Sequence, residues 1–481
     1  MDTGRAAVVR GKIVKGVMAM TGRTFLLQFI TFSATLILTI LLSPAVFGVF
    51  FIVSAVISFL TYFSDIGLAA ALIQKKKEPE RLELLSVFTL QQAIVLVLIL
   101  LALIMEPKIS FFYSLSPDGV FLLKALLLSF FLSSLKTIPS ILLERRLDFS
   151  RLVIPQILEN LIFYLTAVIL AYRNFGITSF AWAAIFRGFA GLIGIYWISP
   201  WLPGIAFSYA SIKSLITFGI PFQANSLLAL VKDDLLTLYL GKVLPFSHIG
   251  YLGWAKKWAE TPLRLIMDSV IRVTFPAFSR IQNDKQLLKK ALEKAVLFLA
   301  LFIFPASIFL AIYIKPLTEL VPRYAKWQEA LTAFYFFTAS SILAAFSSPI
   351  VNALNALGKI KKTLGLMVVW TVLTWLLVPV LTYFFGFNGW AYASVAISST
   401  LFLPLGMLKK EVNFNFGKNL AKPFLMILIS GSLALITLPC VNNFASLGFF
   451  MLVSGLIYAV LAWKFLKNEI MPYLPKFLVK A

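Results

Sequence analysis

Residues 85–105 read LSVFTLQQAIVLVLILLALIM, twenty-one positions without a charge. At ~1.5 Å of rise per residue this stretch makes a helix about 32 Å long, enough to cross ~30 Å of bilayer hydrocarbon. Similar stretches recur on both sides of it, at 16–42, 46–73, 120–143, 153–172, 177–199, 214–240, 246–278, 295–314, 328–355, 364–385, 387–408, 423–439 and 445–463. Together they predict an all-α polytopic membrane protein with about fourteen spans. Composition agrees: 60% of the 481 residues are hydrophobic and 13% are charged, against roughly 25% charged in ordinary globular chains. The first apolar stretch is too long for the hydrophobic region of a cleaved signal peptide.

The net charge of +23 does not indicate nucleic acid. The basic residues sit in short runs between apolar segments, the pattern of cytoplasmic loops facing anionic lipid headgroups. With the N-terminus inside and the spans alternating, 28 Lys+Arg fall on the inner side and six on the outer. A wrongly placed span in mid-chain would move every later loop across the membrane and blur that asymmetry. Both termini are therefore expected in the cytoplasm. The lone Cys440 excludes an internal disulfide, and the lone His248 excludes a histidine metal cluster. Extramembrane loops are short, and there is no phosphate-cradling glycine loop or nucleophile elbow. A membrane glycosyltransferase or polymerase is disfavoured on these grounds, and no enzyme activity or cofactor is expected.

The second half of the chain echoes the first. Pro44, Phe47-Gly48-Val49, Asp65 and Leu72-Ile73-Gln74 are answered by Pro245, Ile249-Gly250-Tyr251, Asp268 and Arg280-Ile281-Gln282 at an offset of about 202 to 208. Six spans separate the copies, an even number, so both face the same way. This is a parallel repeat about an axis along the membrane normal. The expected domains are an N-terminal lobe at 1–205, a C-terminal lobe at 206–410, and two further spans with a tail at 411–481. Two pseudo-symmetric six-helix lobes around a central cavity suit alternating access.

Sixteen Lys, Arg, Asp and Glu residues fall within the spans. Facing lipid, they would cost on the order of 45 kcal/mol, so most must pair, snorkel or line water. Lys256, Glu260, Arg264, Asp268 and Arg272 recur every four residues with alternating sign, and Lys257 lies beside them. Residues four apart share a helix face, so the series reads both as a ladder of ion pairs and as a cavity lining with surplus cations. Lys232-Asp233-Asp234 interrupts span seven and cannot occupy one face, at ~100° per residue. Arg187 stands alone in span six and needs a partner, for which Glu159 in span five is a candidate. Lys136 lies toward the inner side. The candidate anion-binding residues are thus Lys136, Arg187, Lys232, Lys256, Lys257, Arg264 and Arg272. The candidate gating or ion-coupling residues are Asp65, Glu159, Asp233, Asp234, Glu260 and Asp268. Asp65 and Asp268 read equally as caps of helix–loop junctions. Gly219 and Pro221 form a candidate hinge. Trp254 and Trp258 read either as sugar-stacking platforms or as interfacial anchors.

The runs Phe218-Gly219-Ile220-Pro221, Leu240-Gly241-Lys242 and Phe275-Pro276-Ala277-Phe278-Ser279-Arg280-Ile281-Gln282 resemble the polysaccharide-transporter branch of the multidrug/oligosaccharidyl-lipid/polysaccharide exporter superfamily. Asp65-Ile66-Gly67-Leu68, Glu144-Arg145-Arg146-Leu147-Asp148-Phe149 and Asn355-Ala356-Leu357-Gly358-Lys359 are similar to patterns of the same family. The resemblance implies a flippase that moves undecaprenyl-pyrophosphate-linked oligosaccharide across a bacterial cytoplasmic membrane. It implies membrane lipids as surroundings, a polysaccharide polymerase and chain-length machinery as candidate partners, and a groove for the lipid tail at the two last spans. Whether a proton or a sodium ion is coupled stays open. A lipid II flippase or a multidrug/cation antiporter of the same superfamily is the alternative, the antiporter being disfavoured by the cationic balance.

Overall fold

Prolines, glycines and polar caps set the helix boundaries in the computed structural model. It describes the backbone of residues 2–75 and 77–470, and the side chains of 22–75, 77–217, 219, 223, 227–267, 270 and 274–469. No strand occurs among the described residues. The first half forms α1 (Asp2–Leu41), α2 (Pro44–Ser64), α3 (Leu68–Gln74), α4 (Arg81–Tyr113), α5 (Pro117–Ser134), α6 (Thr137–Arg145), α7 (Phe149–Tyr172), α8 (Thr178–Ile198) and α9 (Tyr209–Val243). The second half forms α10 (Phe246–Arg280), α11 (Lys285–Leu320), α12 (Leu331–Ala356), α13 (Ile360–Phe385), α14 (Asn388–Ser399), α15 (Phe402–Lys409), α16 (Phe416–Thr437) and α17 (Phe444–Ile470).

Pro44 and Pro117 open α2 and α5, where a missing N–H costs nothing because the first-turn donors are orphaned anyway. Ser116 adds a cap, its hydroxyl accepting from the Gly119 N–H at 3.2 Å. The predicted span 46–73 is two helices. Gly67 takes φ +80° at the break, a left-handed conformation that glycine adopts without a Cβ clash. The Asp65 carboxylate accepts from the Ala69 N–H at 3.2 Å and caps α3. The predicted span 120–143 also breaks, at Leu135-Lys136, and 387–408 breaks at Thr400-Leu401.

Twelve helical segments among the described residues are long and apolar enough to cross a membrane. The chain is a multi-pass membrane protein with an all-helical fold. The predicted spans outside those twelve are 214–240 and 246–278, which fall on α9 and α10. Each is a continuous helix of 35 residues, about 52 Å long, and they carry the charge clusters at 232–234 and 256–272.

The chain divides into two compact units, Met1–Gly250 and Tyr251–Ala481. The division lies beyond α9 because α9 is fastened along its length to α2, α3 and α4. Tyr62 and Gln223 exchange bonds, the Tyr62 hydroxyl donating to the Gln223 carbonyl at 2.9 Å and the Gln223 amide to the Tyr62 carbonyl at 3.0 Å. The Tyr113 hydroxyl donates to Leu238 O at 3.2 Å, and Lys242 Nζ to Phe112 O at 2.8 Å. At Gly219 the α9 backbone lies directly on that of Ile66 and Gly67, with no room for a Cβ. Gly219, a candidate hinge from sequence, is therefore a point of close backbone packing. The Pro221 side chain lies outside the described residues.

In the second unit α16 and α17 both pack on α11. The Tyr458 hydroxyl donates to Leu301 O at 3.0 Å, and the Tyr313 hydroxyl bonds Phe450 O at 3.1 Å and Ser454 Oγ at 2.8 Å. These buried pairs satisfy groups that would be costly unpaired. Glu411, in the loop between α15 and α16, meets Lys362 at 3.0 Å and Lys359 at 3.3 Å at the start of α13. The hydrogen bond from Lys362, with that from Lys359, holds the Glu411 carboxyl below its ordinary value.

Candidate functional site

In the first unit the decisive local feature is the break before α6. Pro139 has no N–H, so the carbonyl four residues earlier, at Leu135, loses its helical donor. The Tyr196 hydroxyl, from α8, donates to that carbonyl at 3.1 Å. The break leaves Lys136 at the N-cap of α6, and its ammonium meets Glu159 Oε1 on α7 at 2.6 Å. Tyr196→Phe should therefore lower stability by about 1–3 kcal/mol, the cost of an unsatisfied buried carbonyl, read as a lower unfolding temperature in detergent. An unchanged melt would mean that the break needs no donor.

Glu159 is shared. Arg187 on α8 reaches Glu159 Oε2 through Nε at 3.8 Å, and its guanidinium lies 5.8 Å from the Phe163 ring centroid, one turn along α7. The carboxylate fits there because residue 191 is glycine: a Cβ at Gly191 would overlap the Glu159 side chain. Lys136 and Glu159 are largely buried, at 13% and 15% side-chain exposure, whereas Arg187 is 53% exposed. Arg187 makes no hydrogen bond among the described residues, so its two terminal nitrogens are unspent.

The exposed side of Arg187 is not the exposed apolar face of α8. Trp182, Phe186, Phe189 and Ile193 form the exposed apolar stripe of that helix. At ~100° per residue, Arg187 lies about 130° from the centre of that stripe. The side-chain oxygens of Gln156 and Asn160, flanking Glu159 along α7, are buried without a protein partner. Such atoms call for water or ligand. The cluster Lys136–Glu159–Arg187 is a hydrated-type polar site with one surplus positive charge.

In the second unit Glu260 lies between Lys256 and Arg264 of the predicted ladder, within reach of both. Arg264 Nη2 meets Glu260 Oε2 at 2.7 Å, and Lys256 Nζ lies 3.9 Å from Glu260 Oε1. Lys256 also sits over the Trp390 ring at 4.7 Å. Arg264 remains 68% exposed and Lys257 is exposed. The side chains of Asp268 and Arg272 lie outside the described residues.

Trp254 and Trp258 correct the sequence expectation. They are 3% and 8% exposed, so they neither present a face to sugar nor anchor at an interface. Trp254 stacks on Trp327 at 5.5 Å and donates its indole N–H to the Tyr324 hydroxyl at 3.0 Å. An aromatic cluster that satisfies the indole N–H internally makes burial affordable. Along α9, Asp233 is exposed while Lys232 and Asp234 are half-buried, so the three charges occupy different faces as expected.

Arg145 is a polar anchor whose role the sequence did not disclose. Its guanidinium bonds the carbonyls of Leu72, Ile73, Lys75 and Lys77 and so ties the end of α3 to α6. The available signal was its place in the last turn of a helix within a motif already singled out. The second unit also carries an apolar groove of about 500 Å³, lined by Ile308, Ile312 and Lys315 of α11, Tyr335 of α12, and Phe424 and Leu428 of α16.

A family model described as polysaccharide biosynthesis protein matches residues 37–332. The chain belongs to the polysaccharide biosynthesis protein family. The succinoglycan biosynthesis transport protein ExoT of Rhizobium meliloti (strain 1021) is 27% identical over 292 residues, covering 60% of this chain and 58% of the relative. The lipopolysaccharide biosynthesis protein WzxC of Escherichia coli (strain K12) is 24% identical over 324 residues, 65% of this chain and 64% of the relative. The teichuronic acid biosynthesis protein TuaB of Bacillus subtilis (strain 168) is 22% identical over 387 residues, 77% of each. The chain thus matches about six-tenths of the length of the first two of these relatives.

Solved structures agree on the fold. Lipid II flippase MurJ in an inward closed conformation superposes with a TM-score of 0.74 at 17% identity, over 95% of this chain and 100% of that one. An inward-facing multidrug resistance MATE family transporter of the MOP superfamily gives 0.64 at 16% identity, over 80% and 95%. Within this polysaccharide biosynthesis protein, the family match takes in both Lys136–Glu159–Arg187 and the ladder on α10. The groove helix α16 lies beyond it.

Proposed function

We propose that this protein is a flippase. It translocates an undecaprenyl-pyrophosphate-linked oligosaccharide across a bacterial cytoplasmic membrane by alternating access, with no covalent chemistry and no cofactor beyond a coupling ion. The observation that carries this reading is Arg187: an exposed guanidinium on a membrane helix, turned away from the lipid stripe, with an unspent fork. A planar fork of donors matches a phosphate bidentately, and the guanidinium of Arg264, still 68% exposed beside Glu260, extends the same preference in the second unit. The names of the relatives support a surface-polysaccharide precursor as cargo. In this reading α9 and α10 bring the spans to fourteen, both termini are cytoplasmic, and the groove beside α16 receives the lipid tail. The lobes of the repeat alternate in access, with α9 moving with the first-unit helices to which it is fastened, and Asp233, Asp234 and Glu260 take part in coupling or gating. A polysaccharide polymerase and its chain-length machinery are the proposed partners.

Likeness to the lipid II flippase over 95% of the chain favours that activity as the second reading. The test is complementation of a bacterial strain lacking its own O-antigen flippase, with surface polysaccharide as readout and lipid-linked intermediates at the cytoplasmic face assayed in parallel. Restored export with depletion of the inner-face intermediate is expected. Rescue of a lipid II flippase mutant instead, without export, would replace the first reading by the second.

A further inference from the structure

We infer that Glu159 is an internal competitor for the substrate's pyrophosphate, exchanging Arg187 with it in each cycle, and that Lys136 sets the strength of that competition. The inference rests on the flippase reading above and adds the regulation of the same site. Three features carry it. Glu159 binds its two cations unequally: Lys136 at 2.6 Å with a hydrogen bond, and Arg187 at 3.8 Å through Nε alone. Lys136 is largely buried and Arg187 is half-exposed. Gly191 leaves no side chain between α8 and the carboxylate, so Arg187 and Glu159 meet without obstruction.

These features give Arg187 two partners of like chemistry. When a phosphate arrives, Arg187 turns its fork outward, and Glu159 is left compensated by Lys136 rather than as a bare buried charge, which would be costly. When the phosphate is to leave, Glu159 offers the returning guanidinium an anion already in place. A cation without such a competitor would hold a doubly charged headgroup and stall. Glu159 and Lys136 are thus positioning residues that act through Arg187.

The two flanking residues should shift binding in opposite directions. Removing the competitor strengthens phosphate binding. Removing Lys136 leaves the whole carboxylate charge to Arg187 and weakens it. A purely structural role would degrade both variants alike.

The test uses the full-length protein in detergent, with undecaprenyl pyrophosphate as the binding probe, and export in the complemented strain. Glu159→Gln is expected to bind the probe about tenfold more tightly and to export about tenfold more slowly, within the usual range of coupling between two ligands. Lys136→Gln is expected to bind about tenfold more weakly. Glu159→Gln binding no tighter than the parent overturns the inference, as does Lys136→Gln binding as tightly. Should Glu159→Gln fail to fold, the Lys136→Gln affinity decides alone. A parent protein that neither binds the probe nor restores export overturns the flippase reading with it. A parent that does both leaves that reading standing whatever the variants show.

Discussion

Arg187→Glu is expected to reduce surface polysaccharide export to at most about a hundredth of the parent level, with the protein present in the membrane in normal amount. The substitution places a second carboxylate beside Glu159, with Lys136 the single cation left to serve both. It removes the fork that would meet phosphate and repels the pyrophosphate. Breaking one partner of a hydrogen-bonded charge contact at a binding site costs 2–5 kcal/mol or more, and each ~1.4 kcal/mol is a factor of ten. Arg264→Glu should act in the same direction in the second unit, where it adds an acid beside Glu260. The measurement is export in the complemented strain alongside an immunoblot of membranes. Normal export in both variants would remove the cationic binding site from the reading. Loss of the protein itself would assign these arginines to structural ion pairing.

Gly48→Ala and Gly250→Ala should each destabilise the protein by about 1–3 kcal/mol or more, the usual range for overpacking a tight contact. The two glycines sit at the start of α2 and in the first turn of α10. A Cβ at Gly48 would fall on the carbonyl of Phe246, and a Cβ at Gly250 on the carbonyl of Pro44. Gly48 and Gly250 are 202 residues apart, and so are Pro44 and Phe246. Each copy of the repeat therefore presses its glycine on the equivalent first-turn backbone of the other, as a two-fold contact requires. Backbone cannot step aside as a side-chain end can. Once one alanine has forced the crossing open, the second meets less resistance, so the double variant should cost less than the sum of the singles. Thermal unfolding of the three variants in detergent measures this. Additive effects would mean that the two glycines act as separate contacts.

Several features of the site were legible because they are local. The four-residue spacing from Lys256 to Arg264 fixes one helix face, and the ion pairs there follow directly. The isolation of Arg187 in an apolar helix pointed to Glu159, since an unpaired intramembrane charge has few permitted partners. Asp65 stood before a glycine at a helix junction, and it caps there. The readings of Trp254 and Trp258 failed for a physical reason: their burial depends on Tyr324 and Trp327, some 70 residues away. Lys136 was assigned to the inner side of one continuous span. Its actual neighbour follows from the Pro139 break and from a tyrosine on α8.

Composition, span length and the inside–outside bias of Lys and Arg made this chain a polytopic membrane protein on sequence alone. The motif runs gave its family resemblance the same way, and the offset repeat its expectation of two lobes. These signals survive in one dimension because a bilayer imposes its thickness and polarity on every crossing segment. Tertiary structure alone decided that α9 packs with the first unit, that Glu159 is divided between Lys136 and Arg187, and that Gly48 and Gly250 meet each other's neighbours. Those outcomes depend on helix rotation and on which backbones approach within a Cβ of one another. Residues 23 to 206 positions apart settle them together, and no local pattern encodes such an agreement.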